Sequence, residues 1–184
     1  TGFMFSSYLE HPTHCRFEGQ DEDEKIVLLL RSHPVTNLSW ILWALFLMFL
    51  PVFLPAVITT LGFDDPFNLP AAYYNGFLVI NYLLATVIIF EGFLYWFFNV
   101  YIVTNKRVID ITFTSLLLKN VDLAPLENIE EANSSITGFL GTIFNFGNVA
   151  IQTAGANIAI HMIKVPNPVK VADFILDRTK NNAN

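Results

Sequence analysis

Two stretches, Leu38 to Leu61 and Tyr73 to Trp96, are almost wholly apolar, and the polar positions around them set the organisation of the whole chain. No charge occurs between Arg31 and Asp64, and only Glu91 interrupts the run from Pro66 to Ile102. A helix of 24 residues rises about 36 Å, enough to cross a hydrocarbon core of about 30 Å with some tilt. A helix of a soluble protein would carry a charged outer face, and neither stretch has one. Both are therefore predicted to be transmembrane helices. The connection from Gly62 to Ala72 is short, so the two helices form an antiparallel hairpin whose ends lie on one side of the membrane. Lys25 and Arg31 precede it and Lys106 and Arg107 follow it, whereas the loop carries Asp64 and Asp65 and no base. That asymmetry predicts cytoplasmic termini. The first span starts too late and runs too long for a cleavable signal, and is expected to act as an uncleaved anchor.

From Asn99 onward the pattern changes to short runs rich in β-branched and aromatic residues. Val100–Val103, Arg107–Thr112 and Ser115–Val121 read as antiparallel strands with a turn near Phe113 and Thr114. A fourth strand is expected over Leu126–Ser135. The glycine-punctuated segment from Ile136 to Phe144 predicts a helical turn or loop packed on the sheet. Asn148–Thr153 and Ile158–Val165 form a hairpin, and Asn167 with Pro168 opens a helix to Arg178 that buries Val171, Phe174 and Ile175. The organisation is thus a tail over 1–34, a hairpin over 35–98 with spans 38–61 and 73–96, a domain over 99–178 and a frayed end over 179–184. Within the tail, Ile26 to Leu30 is either a short strand or an interfacial segment.

The spans account for much of the 53% apolar content of the 184 residues. Charge refines the picture only outside them. The domain after Asn99 has seven acids and seven bases, and without a basic stripe nucleic acid is excluded as its partner. A single cysteine, Cys15, excludes an intrachain disulfide and suits a reducing compartment.

Candidate chemistry is sparse. His11, His14 and Cys15 cluster in the tail but match no zinc spacing, so no metal or other cofactor is expected. No nucleophile elbow, metalloprotease helix or phosphate loop occurs, and Gly138, Gly141 and Gly147 lack the Lys and Ser/Thr that a phosphate loop needs. No catalytic residue is assigned, and the chain is read as a non-enzyme. In the spans, Pro51 and Pro55 share one helix face and should bend the first helix, neighbouring groups taking up the freed carbonyls. Asn75 and Asn81 lie in the outer half of the second. Trp40 and Trp43, together with Phe90, Phe93, Tyr95, Trp96, Phe97 and Phe98, fit an inner headgroup belt. Glu91 lies inside that boundary, where a carboxylate snorkels, takes a proton or meets an intramembrane partner.

Several segments, in this order, resemble the bacterial pleckstrin-homology-like family often found behind two membrane spans. They are Glu24-Lys25-Ile26-Val27 with Arg31-Ser32-His33-Pro34, Tyr101-Ile102-Val103-Thr104-Asn105-Lys106-Arg107-Val108-Ile109, Leu126-Glu127-Asn128-Ile129-Glu130, and Gly147-Asn148-Val149-Ala150-Ile151 followed by Thr153-Ala154-Gly155. The resemblance implies an α+β, mainly β, PH-like domain: a seven-stranded, partly open barrel capped by the C-terminal helix, joined to the α-helical membrane hairpin. Eukaryotic relatives that bind inositol phosphates gather several bases in the first hairpin loop; here only Lys106 and Arg107 stand there.

The expected function is a membrane-anchored interaction or scaffold module, a subunit of a homo- or hetero-oligomeric complex in a bacterial inner membrane. Its partners would be lipids and other membrane subunits or itself, met through Phe139, Leu140, Ile143, Phe144 and Phe146. The alternative is a sensor of anionic lipid or a small ligand, with Lys106 and Arg107 on the headgroup.

Overall fold

The computed structural model describes residues 6–12, 15–17, 19–62, 71–115, 118–154 and 159–182. The chain divides into two compact units, Asn37–Leu94 and a second made of Thr1–Thr36 with Tyr95–Asn184.

The first unit is a pair of helices, α1 (Leu38–Thr60) and α2 (Ala71–Phe98, whose last turn belongs to the second unit). Both are long and apolar enough to cross a membrane. Large side chains such as Leu42, Phe46, Val52 and Phe53 on α1, and Val79, Ile80, Leu83 and Phe90 on α2, are exposed. In water such a surface would be costly; against lipid it is the ordinary outer face. The inner face is built from small residues that let the backbones approach, among them Ala44 and Ala85. At Gly92 an added Cβ would sit 2.6 Å from the Trp40 ring, so only glycine admits that ring. Pro51 has no N–H and leaves the Leu47 carbonyl without its intrahelical partner. The amide of buried Asn81 donates to that carbonyl at 2.7 Å, which is the compensation expected for a proline in a span. Much of the connecting loop lies outside the described residues.

The second unit holds two antiparallel sheets. The strands are β1 (Tyr8–Glu10), β2 (Ile26–Arg31), β3 (Val100–Thr104), β4 (Arg107–Ser115), β5 (Leu118–Pro125), β6 (Ile129–Ser135), β7 (Phe146–Thr153) and β8 (Ala159–Pro166). One sheet has the order β1-β2-β3-β4-β5 and the other β6-β7-β8, and the two do not close into one barrel. Helix α3 (Gly138–Phe144) lies between β6 and β7, and α4 (Pro168–Asn182) follows β8. Alternation in each strand sends one set of side chains into a shared core: Leu28, Leu30, Tyr101, Val103 and Val108 from the larger sheet, Val149, Ile151, Ile160 and Met162 from the smaller, and Val171 and Ile175 from α4. The other face of the larger sheet carries a smaller cluster of Ile26, Ile102 and Ile109, covered by Cys15 and Phe17.

The segment before α1 is therefore not a separate tail. It contributes two strands, because Leu28 and Leu30 bury completely only when paired beside Tyr101 and Val103. The Ile26–Leu30 run is a strand rather than an interfacial segment. Further differences are local. β4 continues through Phe113 to Ser115, so Phe113 and Thr114 are strand rather than turn. Leu126–Asn128 forms a 3-10 turn before β6, and α4 extends past Arg178 to Asn182. Asn167 does not stand as a simple N-cap. It has φ 48°, and its side-chain oxygen accepts from Asn145 Nδ2 at 2.6 Å, tying the end of α3 to the start of α4. Gly147 is required where β7 begins, since a Cβ there would lie 2.2 Å from the Ser135 carbonyl oxygen.

Candidate functional site

The sheet domain is fastened where the chain leaves for α1 and returns from α2. Trp96 Nε1 donates to the Ser32 carbonyl at 2.8 Å, and the Arg31 guanidinium lies 4.8 Å over the Phe97 ring. Trp96, expected in a headgroup belt, is instead 7% exposed within the domain. A single sequence cannot distinguish the two roles, since an indole near a span end suits either. Next to Ser32, the His33 ring stacks on Phe146 at 5.3 Å and meets Phe144 at 6.2 Å. Burial lowers the pKa of His33 and favours the neutral ring. The His33 N–H donates to the Lys164 carbonyl at 2.7 Å, and Ser32 Oγ donates to the Ile163 carbonyl, which brings the end of β2 to β8.

Of the five apolar residues expected to form an interaction surface, four are solvent-exposed. Phe139, Leu140, Ile143 and Phe144 are exposed on α3, Phe139 to 78%. Phe146 is buried, because it starts β7 and takes the His33 ring. Helix α3 thus packs through Gly141 and turns its large side chains outward, rather than burying them on the sheet.

The two basic residues of the β3–β4 turn have acidic partners already. Arg107 reaches back to Glu24, donating through Nε to Oε1 at 2.9 Å and through Nη2 to Oε2 at 2.7 Å, and also to the Gly19 carbonyl. The Glu24 side chain is 0% exposed, and Thr104 Oγ1 donates to its Oε1. Burial alone would raise the carboxyl's pKa, but these donors outweigh it and hold the group below the usual range. Lys106 pairs with Asp21 at 3.2 Å in an exposed bridge. Their acidic partners were invisible as partners in the sequence because more than eighty positions separate each pair.

A second buried polar group, Asp110 on β4, lies opposite Tyr101 on β3 and Asp122 on β5. Burial first, and Asp122 as well, raise its pKa, against the lowering effect of the hydrogen bond from Thr112 Oγ1. Burial also pushes the Tyr101 hydroxyl up to about 12, although that oxygen accepts the Ile163 N–H at 3.0 Å. The Tyr101 hydroxyl thereby ties β3 of the larger sheet to β8 of the smaller. Glu91 is exposed on α2 and, among the described residues, has no salt-bridge partner.

Cys15 packs in the smaller cluster and His14 lies outside the described residues. Among the described residues, no group of three or more His, Cys, Asp or Glu is placed to hold a metal ion. The larger sheet ends in β5, an edge strand whose Leu118, Val121 and Leu123 are exposed.

Two open antiparallel sheets around one core, with a helix packed on it after the last strand, define a PH-like domain, joined in this chain to two helices long enough to span a membrane. The family model of the bacterial PH domain matches residues 34–179, and the chain belongs to that family. No curated protein and no solved structure matches it.

Proposed function

We propose that this protein is a membrane-anchored, non-catalytic interaction module, a subunit of a homo- or hetero-oligomeric complex in a bacterial inner membrane. The hairpin crosses the membrane twice with both termini in the cytoplasm, and strands β2 to β8 act as a partly open seven-stranded barrel capped by α4. The hydrogen bonds from the Ser32 hydroxyl and the His33 main-chain N–H to carbonyls of β8 support the barrel reading at one corner. The observation that carries the interaction reading is β5. It is an eight-residue edge strand, and such an edge offers main-chain donors and acceptors for strand addition. Exposed Val121 and Leu123 lie opposite Ile111 and Ile109 and extend the apolar stripe of that sheet toward the edge.

The headgroup-sensor alternative has less support. Arg107 is bonded twice to a buried carboxylate, so a lipid phosphate would have to displace an internal ion pair to use it.

The test is native mass spectrometry of the full chain extracted in mild detergent, identifying every co-purifying chain. A defined assembly that dissociates in the Val121→Asp, Leu123→Asp double variant is expected. A strict monomer, with no neighbour captured by cross-linking in native membranes, refutes the reading.

A further inference from the structure

Helix α3 exposes four large apolar side chains in seven residues, and its position along the chain indicates what covers them. Phe144 meets the ring of His33, and the apolar segment able to span a membrane begins at the next residue, Pro34. Thr36 N donates to the His33 carbonyl at 2.9 Å, so the chain between them is a tight 3-10 turn that rises only about 2 Å per residue. By connectivity alone, Phe144 touches a residue only five positions before α1 begins at Leu38. The charge pattern agrees. No Asp or Glu occurs from Ala132 to Ala172, and exposed Lys164 gives its carbonyl to His33 at the same corner.

We infer that α3 is an interfacial wedge, in which Phe139, Leu140, Ile143 and Phe144 enter the headgroup–acyl boundary of the leaflet that α1 enters, with Lys164 facing lipid phosphates. A short helix with an aromatic and aliphatic outer face suits that depth, about 5–10 Å into the boundary. The partner is the lipid surface itself, which fixes the height of the domain and leaves the β5 edge free for protein. This inference rests on the hairpin being membrane-inserted, and is independent of what β5 binds.

The test uses the full chain with Cys15→Ala in nanodiscs of phosphatidylcholine and phosphatidylglycerol. Single cysteines replacing Phe139 on α3, Phe46 on α1 or Glu130 on β6 carry a small fluorophore, read against nitroxide-bearing lipid and against aqueous iodide. At Phe139 the emission should be lost to the lipid quencher and spared by iodide, as at Phe46, with the reverse at Glu130. If position 139 behaves like 130 while 46 stays lipid-quenched, the wedge is refuted and the hairpin stands. If position 139 is shielded from both quenchers, protein covers the patch and the lipid assignment is wrong. Iodide quenching at position 46 would instead overturn membrane insertion itself, and the wedge with it.

Discussion

The side-chain amide of Asn81 on α2 donates to the main-chain carbonyl of Leu47 on α1 at 2.7 Å, and that carbonyl is the one Pro51 leaves without an N–H. A proline on one helix and an asparagine on the other thus form a single unit. Replacing Asn81 with Leu should cost about 1 kcal/mol of hairpin stability, the scale of interhelical hydrogen bonds in bilayers. In a Pro51→Ala background the restored N–H satisfies Leu47, so the same change should cost much less. Steric-trap unfolding in bicelles, read as a double-mutant cycle, measures the coupling; additive losses would refute it.

Arg107 and Lys106 adjoin in sequence and differ in surroundings. Arg107→Ala leaves the fully covered Glu24 carboxylate unpaired, and should cost about 3 kcal/mol in denaturant unfolding of the sheet domain. Lys106→Ala breaks only an exposed bridge and should change stability by less than about 1 kcal/mol. Equal effects would contradict the internal role given to Arg107.

The two buried acids respond to pH in opposite senses. Glu24 has a lowered folded pKa, so its contribution is full above the ordinary carboxylate range and is lost as pH falls through the folded value. Asp110 has a raised folded pKa, so stability is lost as pH rises through that value, and its ionised form is the costly one at pH 7. Asp110→Asn should therefore raise the Tm at pH 7, with the gain disappearing below about pH 4, where the carboxyl is protonated in folded and unfolded chains alike. Thermal melts from pH 3 to pH 8 test both signs. A gain from Asp110→Asn that persists at pH 3 would rule out the titration account.

Two glycines are close-approach points in different units. Gly147→Ala pushes a methyl against the Ser135 carbonyl oxygen, and Gly92→Val drives a branched side chain into the Trp40 ring. Each should cost about 1–3 kcal/mol, the first in the sheet domain and the second in the hairpin. Gly76, with nothing within 4 Å of its added Cβ, is the control and should tolerate alanine.

The sequence alone determined the features that depend on local pattern. The two long helices follow from uninterrupted apolar runs, β3 to β8 from alternating β-branched segments, and α4 from the spacing of Val171, Phe174 and Ile175, of which Val171 and Ile175 are fully buried. The family likeness followed from the order of those pieces. What tertiary structure decided concerns which surface each residue meets. Ile26–Leu30 could have been a strand or an interfacial segment, and only pairing with β3 made it a strand. Phe146 and Phe139 are the same side chain on neighbouring elements, yet one receives the His33 ring and the other projects outward, because β7 turns inward where α3 turns out. Lys106 and Arg107 looked like free bases until Asp21 and Glu24 arrived across more than eighty residues. Local periodicity encodes secondary structure, because φ/ψ preference and side-chain phase are short-range properties. Partner choice between distant segments is settled by burial and charge pairing once the chain has closed on itself, and no short window of sequence contains both partners.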